Sequence, residues 1–484
     1  MKGRMKLNQY TAVDPQAIID MDATEIAGKI IDGSLTSMEA ANAYISHINR
    51  ANPYINAMVE TRFDQALNEA RKTDQTHQTP RVGQLAGVPI SVKESFDVSG
   101  MKTTAGLLSR KNALRDTDAA VVGKLKQEGA IILGKTNTPE MCFCQETDNK
   151  LYGRTNNPWD LARTAGGSSG GEGALHAVGG AAVGIGADIG GSIRFPSHFN
   201  GIIGMKSGMN HVSAQGCFPP FVNPLQNRML GIGPMGKTVR DIRLVYDIVA
   251  DSPVKPESTE SVQIDILPDD INEPLSRETA HILNNIARFL EGDFPVHRKI
   301  PPFFTDSAQI WQEIMSIDGA RDIAAIASPT SSMIREFMKE KLTKKSGVHL
   351  YLSWALVGAK MFQPSEKRIG DMTAFLEQGD AVLHDYLDHR VLILPVYHQA
   401  APQHGKVYRD IFSIRKTFKR YMPYVAYANV WGLPALTIPA GTDAEGMPIG
   451  VQLIGQNGKE DLLFQIGEKL EIEFGGYKRC ERFD

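Results

Sequence analysis

The chain has few cysteines, no excess of positive charge and no long apolar run. Its 484 residues include only four cysteines, which are too scattered to form a disulfide framework. They are Cys142, Cys144, Cys217 and Cys480. Lys and Arg number 52 against 55 Asp and Glu, giving a net charge of −3, whereas nucleic-acid binders normally carry a basic excess. These absences exclude a disulfide-stabilised secreted scaffold and argue against a nucleic-acid partner.

Membrane and metal signals are also missing. The N-terminus has no apolar segment of signal-peptide length, and no later stretch reads as about 20 uninterrupted apolar residues. No clear Lys/Arg-rich amphipathic helix of the kind that binds membrane surfaces stands out either. Cys142-Phe-Cys144 lacks a second ligand pair at zinc spacing. We therefore expect a cytoplasmic protein with no membrane partner and no metal.

Apolar strands alternate with amphipathic helices along the whole chain. Residues 22–74 have helical periodicity, and GSLTSMEA within them supplies a helix stop and a new N-cap. GVPISVKES at 87–95 predicts a short strand, and residues 130–133 predict a buried strand that follows a helix. Apolar strands return near the C-terminus, before a final helix over residues 461–474. With 42% apolar residues and no internal repeat or linker, this alternation predicts one large α/β domain over residues 1–484.

Glycine is concentrated between residues 164 and 191, where 11 of 28 residues are glycine. Glycine loses more conformational freedom on folding than other residues, so a pair directly before Ser192 suggests that backbone N–H groups approach something closely. Residues 167–171 satisfy G-x-S-x-G with Ser169 as nucleophile, but the polar, proline-containing segment before them is no buried strand. Neither glycine motif for phosphate binding has its required neighbours. We therefore expect no nucleotide and no other cofactor.

Lys93 ends the apolar strand VPISVK. An isolated lysine at a strand end usually projects into solvent. In a dry site, desolvation disfavours the charged ammonium, and a neutral amine can then act as a base. A serine nucleophile needs such a base within hydrogen-bond reach.

Three segments together resemble the amidase signature family: GVPISVKESFDVSGMKTTAG, GGSSGGEGAL and GADIGGSIRFPS. Lys93, Ser168 and Ser192 are spaced 75 and 24 residues apart, as in a member of that family. The resemblance extends to TSMEAANAYISHINRANPYINAMV, GKTNTPEM, NNPWD, GPMGKTVRDI, ANVWGLPALTIPAG and PIGVQLIG. It covers most of the chain, with roughly residues 265–389 as the unmatched part.

The resemblance implies a fold and an organisation. The fold is α/β, one large domain with a central twisted mixed sheet covered by helices on both faces. We expect a helical segment at 1–75, a core with the family's motifs at 80–250, a variable, substrate-shaping region at 265–389, and C-terminal strands and a helix at 390–484.

The resemblance also implies hydrolysis of a carboxylic amide to an acid and ammonia or an amine, through a serine acyl-enzyme. Ser192 corresponds to the nucleophile, Ser168 to a bridging serine with a cis peptide, and Lys93 to the base. The oxyanion hole corresponds to the backbone N–H groups of Ile189, Gly190, Gly191 and Ser192. The nearest histidines, His176 and His198, are not needed for this chemistry.

Other residues near these motifs have less defined roles. Asp188 and Arg194 either bind substrate or form a structural pair that shapes the loop, and Ser169 is expected to act as a supporting donor. EMCFCQ at 140–145 corresponds to a segment that lines the cleft, so Cys142 and Phe143 are candidate wall residues. For Phe143, a packed core position is an equal alternative.

Two alternatives to a stand-alone amidase remain: the glutaminase-type A subunit of a tRNA-dependent amidotransferase, and a scaffold without catalysis. In the amidotransferase chain, an Asp binds the ammonium group of glutamine seven residues before the Asn that corresponds to Asn429. Met422 stands at that position here, and residues 411–429 contain no carboxylate. We therefore expect a small-molecule amide substrate other than free glutamine, and a homodimer is left open.

Overall fold

The computed structural model describes residues 13–75, 83–268, 271, 275–411 and 416–484. Within them, eleven strands form one sheet. The strands are β1 (Met58–Thr61), β2 (Pro89–Lys93), β3 (Ile131–Thr136), β4 (Val183–Asp188), β5 (Ile203–Lys206), β6 (Gly231–Gly236), β7 (Gln263–Ile266), β8 (Val296–Arg298), β9 (Arg390–Pro395), β10 (Ala435–Thr442) and β11 (Pro448–Ile454).

Helices occupy the segments between these strands. The α-helices are α1 (Pro15–Asp20), α2 (Ala23–Asp32), α3 (Ser37–Ile55), α4 (Phe63–Gln75), α5 (Ala120–Gln127), α6 (Gly170–Ala177), α7 (Arg194–Asn200), α8 (Pro224–Met229), α9 (Val239–Val249), α10 (Arg277–Leu290), α11 (Ser307–Met315), α12 (Arg321–Ala327), α13 (Met333–Thr343), α14 (Leu350–Met361), α15 (Glu366–Leu387), α16 (Lys406–Ile411), α17 (Lys416–Val430) and α18 (Glu460–Phe474). Short 3₁₀ helices lie at Leu108–Arg110, Glu140–Cys142 and Ile317–Ala320.

The predicted stop and start between α2 and α3 is confirmed. Gly33 ends α2 in the left-handed region, with a φ of 80°. Thr36 caps α3, and Glu39 returns the interaction in a capping box. The local sequence is sufficient to predict the boundary between α2 and α3, because the glycine that ends one helix and the threonine that caps the next lie only a few residues apart.

The sheet is mixed, as the family resemblance implies. Its strand order is β1-β3-β2-β4-β6-β5-β10-β11-β9-β7-β8. β2 runs parallel to both β3 and β4, and β7 runs parallel to β8 and β9. The other neighbouring strands pair antiparallel. The expected α/β fold with a central mixed sheet is therefore confirmed.

The parallel pairing of β2 and β4 determines where the functional motifs meet. Both strands are buried along their whole length, as is typical of parallel strands inside a sheet. Their register pairs Val92 with Ile185, so the two strands end at the same edge of the sheet. Lys93 and Asp188 are the last residues of these strands. In open α/β sheets this carboxyl edge is where ligands bind.

The glycine-rich stretch forms one short helix, α6 at Gly170–Ala177. β4 follows, and the loop that begins after β4 leads directly through Ser192 into α7. The stretch therefore brings two serine-containing loops to the carboxyl edge of β2 and β4.

The helix α13 carries both apolar and cationic side chains on its exposed surface. This helix exposes a row of apolar side chains four residues apart, with Ile334 57%, Met338 46% and Leu342 74% exposed. Exposed cationic residues lie on the same helix: Arg335, Lys339 and Lys341. Throughout the described ranges, no helix combines the length and apolar character needed to cross a bilayer.

Candidate active site

Lys93 and Ser168 form the polar centre of the site. Lys93 Nζ donates to Ser168 Oγ at 2.7 Å and lies 3.4 Å from the carbonyl oxygen of Ala187. Both side chains are buried, and Lys93 makes no ion pair with any carboxylate among the described residues. Both of these contacts of Lys93 Nζ are with neutral oxygens, one of a hydroxyl and one of a carbonyl group.

The loop around Ser168 is tied to the loop around Ser192. The peptide bond between Gly167 and Ser168 is cis. The next residue, Ser169, donates its backbone N–H to the carbonyl oxygen of Ser192 at 3.1 Å, and its hydroxyl lies 3.4 Å from the carbonyl oxygen of Ala187. Ser169 is fully buried. Its contacts hold the two loops together, which suits a supporting residue.

Ser192 lines the same pocket as Lys93 and Ser168 and is 4% exposed. Among the described residues, no hydrogen bond joins its hydroxyl to that of Ser168. Catalytic hydrogen bonds are often long or misaligned in a site without substrate and shorten when substrate binds. The three residues of the predicted triad therefore share one pocket, with the Lys93–Ser168 contact already formed.

The backbone before Ser192 differs from the predicted oxyanion hole at one position. The N–H of Gly191 donates to Asp188 Oδ1 at 2.8 Å, so this donor is already used within the loop. Gly191 has a φ of +92°, a conformation that side-chain-bearing residues rarely adopt. The N–H groups of Ile189, Gly190 and Ser192 have no acceptor within the described part of the chain. The candidate donor set is therefore three groups, without Gly191.

Side chains from two distant segments bind the carbonyl groups of the same loop. Trp311 Nε1 donates to the carbonyl oxygen of Ile189 at 2.7 Å. Gln145 Nε2 donates to the carbonyl oxygen of Gly190 at 3.2 Å. Sequence reasoning missed both residues. Gln145 ends the motif EMCFCQ, whereas no local signal marks Trp311.

Asp188 and Arg194 form a structural pair. Two guanidinium nitrogens of Arg194 donate to the two Asp188 oxygens at 3.0 Å each, and both side chains are fully buried. Arg194 also donates to Asn429 Oδ1 and Gln452 Oε1, at 2.6 and 2.8 Å. Asp188 accepts the N–H groups of Gly191 and Ile193 as well. The hydrogen-bonding groups of both side chains are therefore already used within the protein. Of the two alternatives, substrate binding and loop shaping, the structure supports loop shaping.

Burial alone would raise the pKa of Asp188, because it disfavours the charged carboxylate. The adjacent Arg194 charge and its hydrogen bonds outweigh burial, so the pKa of Asp188 lies well below its usual range. Asn429 and Gln452 complete this network, and no local sequence pattern marks either residue.

We expect Asp188→Asn to lower the free energy of unfolding by about 3–5 kcal/mol, because it leaves the buried Arg194 charge without its partner. Since the folded-state pKa of Asp188 lies below the unfolded value of about 3.9, the stabilisation is present above that pH and is lost in acid. Urea unfolding should therefore give equal losses of unfolding free energy at pH 7 and pH 5.

The matched control is Asp380→Asn, which breaks an ion pair between Arg228 and a carboxylate that is 42% exposed. It should cost less than about 1 kcal/mol. Equal losses in both variants would contradict the assignment.

The pocket above these residues has a volume of about 1110 Å³, including the space open to solvent. Its walls are mostly aromatic and aliphatic. They include Phe143, Phe218, Phe221, Leu230, Trp311, Met315, Trp354, Phe362 and Phe418. Cys142 and Phe143 are both in the lining and half-buried, so the structure places these two candidate wall residues at the pocket.

One wall comes from α14, where small residues face the pocket. Ala355, Gly358 and Ala359 are spaced three and four residues apart, on one face of the helix. A Cβ added at Gly358 would meet no heavy atom within 4 Å. This wall therefore leaves open space that a larger side chain would fill.

Among the lining residues that the structure describes, two carry the ionisable side chain of an Asp, Glu, Lys or Arg: Lys93 and Asp188. Asp188 is already paired with Arg194. Met422, at the position of the glutamine-binding Asp, is buried and does not line the pocket. The described lining therefore has no free carboxylate for the ammonium group of an amino acid.

The two histidines nearest the serines in sequence lie outside the pocket. His176 Nε2 contacts Glu172 Oε2 at 3.0 Å, in the buried interior. His198 hydrogen-bonds the backbone of Gln399 and Gly450, and burial lowers its pKa to about 4. Within the ranges that the structure describes, no group of three or more His, Cys, Asp or Glu residues could hold a metal ion.

Comparisons with known proteins agree with this geometry. The profile of a family described as Amidase matches residues 39–464. Fatty-acid amide hydrolase 2-B of Danio rerio is 33% identical over 489 residues, which cover 95% of this chain and 90% of that protein. The A subunit of glutamyl-tRNA(Gln) amidotransferase from Fusobacterium nucleatum subsp. nucleatum is 28% identical over 494 residues, covering 95% and 97%.

The solved structure of 6-aminohexanoate cyclic dimer hydrolase superposes with a TM-score of 0.81 at 26% identity, covering 98% of this chain and 100% of that chain. The family profile also spans residues 265–389, which the sequence motifs left outside the resemblance. The likeness is therefore wider than the motifs alone indicate.

Proposed function

This chain belongs to the amidase signature family and is a hydrolase of amides, and we propose that it cleaves uncharged, apolar carboxylic amides through a serine acyl-enzyme. In this proposal Ser192 is the nucleophile, Ser168 relays the proton and Lys93 is the base. The observation that carries the proposal is the buried 2.7 Å contact between Lys93 Nζ and Ser168 Oγ at the floor of an apolar pocket that Ser192 also lines.

The proton path follows from that contact. A neutral amine has a lone pair as well as N–H bonds, so the Lys93–Ser168 hydrogen bond can also run from the hydroxyl to the nitrogen. As Ser192 Oγ attacks the carbonyl carbon, its proton passes to Ser168 Oγ, and the proton of Ser168 passes to Lys93 Nζ. The ammonium so formed is the acid of the next step.

Collapse of the tetrahedral intermediate breaks the C–N bond and returns the proton. It moves from Lys93 through Ser168 to the leaving nitrogen, which departs as ammonia or an amine. Water then attacks the Ser192 ester, with the same relay taking its proton, and releases the carboxylic acid. Acylation returns Ser168 and Lys93 to their starting protonation states while Ser192 carries the acyl group. Deacylation delivers the proton taken from water back through the relay to Ser192 Oγ and so restores all three side chains.

Three backbone donors would stabilise the negative oxygen of the intermediate. Ile189, Gly190 and Ser192 each have an N–H without an acceptor in the described part of the chain. Preorganised donors of this kind are effective because they need no reorientation when charge develops. The Asp188–Arg194 pair supports them by holding the loop that carries them.

The pocket walls support the substrate class. Aromatic and aliphatic side chains favour an apolar acyl or amine group, since their burial removes apolar surface from water. Free glutamine would bring an ammonium group into a pocket where Asp188, the one carboxylate among the described lining residues, is already paired. The relative named fatty-acid amide hydrolase 2-B is also more similar to this chain than the Fusobacterium nucleatum amidotransferase chain is.

We expect the purified chain alone, without ATP or tRNA, to release ammonia faster from an apolar aryl or alkyl amide than from glutamine. The missing charge-assisted hydrogen bond to the ammonium group is worth about 1.5–3 kcal/mol, which corresponds to roughly tenfold to hundredfold in kcat/KM. Coupled ammonia detection at equal substrate concentrations measures both rates. N-acetylglutamine, which lacks the ammonium group, should fall between the two substrates. A faster rate with glutamine than with either amide would favour the amidotransferase-type activity.

A further inference from the structure

The oxyanion loop is contacted by an indole from the substrate-shaping region. Trp311, on α11, donates its Nε1–H to the carbonyl oxygen of Ile189 at 2.7 Å, across 122 residues of sequence. Its side chain is 8% exposed, lines the pocket, and packs beside Phe418 with ring centroids 6.3 Å apart. The same side chain therefore belongs to the substrate wall and to the loop.

The hydrogen bond constrains a donor on the other side of the peptide group. The carbonyl oxygen of Ile189 and the N–H of Gly190 belong to one planar peptide, and this peptide is trans. In a trans peptide the C=O and N–H bonds point in opposite directions. A partner that holds the carbonyl oxygen therefore also sets the direction of the Gly190 N–H.

The following peptide is already held at both ends. Its carbonyl oxygen, on Gly190, accepts from Gln145 Nε2, and its N–H, on Gly191, donates to Asp188. The peptide between Ile189 and Gly190 has only the Trp311 contact on its carbonyl side among the described residues. The orientation of the Gly190 N–H consequently depends on the indole.

Van der Waals contact reinforces this dependence. A Cβ added at Gly190 would lie 2.7 Å from Cζ2 and 3.1 Å from Nε1 of Trp311. Real Cβ atoms do not approach that closely, so the indole lies directly against the glycine. Glycine at 190 is thus explained by the ring that packs on it.

We infer that Trp311 is a positioning residue for catalysis: its indole N–H orients the Gly190 N–H toward the oxygen that becomes negative, and so couples the substrate wall to the oxyanion hole. This inference rests on the proposed function, because it presupposes attack by Ser192. It predicts that the residue affects the transition state more than the binding of substrate.

The test compares Trp311→Phe with Trp354→Phe. Phenylalanine keeps an apolar ring but has no N–H, and Trp354 lines the same pocket from α14, where its ring lies beside that of Phe337. Because removal of one oxyanion donor typically lowers kcat by about 10²–10³, we expect its misalignment in Trp311→Phe to lower kcat roughly tenfold to hundredfold, with KM changed less than about threefold. Trp354→Phe should change mainly KM.

Two further measurements distinguish positioning from general damage to the pocket. A trifluoromethyl ketone analogue of the substrate, whose serine adduct carries the oxyanion, should bind Trp311→Phe more weakly by the same factor as kcat/KM falls. Gly190→Ala should displace the indole and lower kcat similarly. In the double variant the two losses should not multiply, because both act through one contact.

The inference is overturned if Trp311→Phe retains the wild-type kcat, or if its kcat and KM change as in Trp354→Phe. It is also overturned if the losses in the double variant multiply. Thermal unfolding of each variant identifies a folding defect, and Gly190→Ala then provides the kinetic test. Failure of the proposed function has a different signature, since the wild-type enzyme would not bind the ketone and Ser192→Ala would remain active.

Discussion

Ser192→Ala should abolish formation of the acyl-enzyme while leaving the protein folded. The hydroxyl lines the pocket, and no described side chain hydrogen-bonds to it, so its loss removes little packing. Removal of a serine nucleophile in a comparable relay lowers kcat by roughly 10⁶-fold. We therefore expect no detectable turnover, no labelling by an apolar fluorophosphonate and no acyl adduct by mass spectrometry, with an unchanged thermal midpoint.

Two serine variants provide the controls. Ser95→Ala removes another hydroxyl from the pocket lining and should label as the wild type does. Ser169→Ala tests the alternative nucleophile of the G-x-S-x-G pattern and should keep its labelling site at Ser192. If Ser192→Ala were labelled as strongly as the wild type and Ser169→Ala were not labelled, the nucleophile would be Ser169.

Lys93→Ala should lose most activity at neutral pH, by about 10²–10⁴-fold, which is the usual contribution of a general base. The loss should shrink as pH rises, because hydroxide then supplies the missing base. In the wild type, kcat/KM should rise with pH, since only the neutral amine can take the proton from Ser168. Initial rates between pH 6 and pH 9 measure both profiles.

The matched control is Lys126→Ala, which removes a lysine paired with Asp118, 2.8 Å away and outside the pocket. Its pH profile should coincide with that of the wild type. A wild-type rate that falls through one transition from pH 6 to pH 9 would exclude Lys93 as the base. A rise centred near ~6.5 would instead indicate a histidine.

The sequence was sufficient for the parts of the site that local patterns determine. Lys93 ends a strand because the apolar run before it suits a fully buried β2, and the glycine-rich segments cannot continue as long helices. The parallel strands β2 and β4 end at one edge of the sheet, and the loop before α6 places Ser168 beside Lys93 at that edge. The fold class followed from the alternation of strands and helices, together with the family resemblance.

Other parts depend on contacts that no local pattern contains. The N–H of Gly191 was expected to face substrate, yet a carboxylate three residues earlier accepts it. Which N–H groups remain free depends on the exact turn of the loop and not on residue type. Likewise, Arg194 is bound by Asn429 and Gln452 from α17 and β11, more than 230 residues away. Trp311 reaches the loop from a helix whose sequence resembles any amphipathic helix.

Trp311 both lines the substrate pocket and contacts the oxyanion loop, which has a consequence for how such an enzyme could evolve. On α14, Gly358 lines the pocket and a Cβ there would meet no heavy atom within 4 Å, so drift at this position could change acyl preference while the catalytic step stays intact. Drift at position 311 is different, because one substitution would alter preference and turnover together. We therefore expect new specificities to be reached through α14 in small neutral steps, whereas a change on α11 requires a compensating change in the Ile189–Gly190 loop.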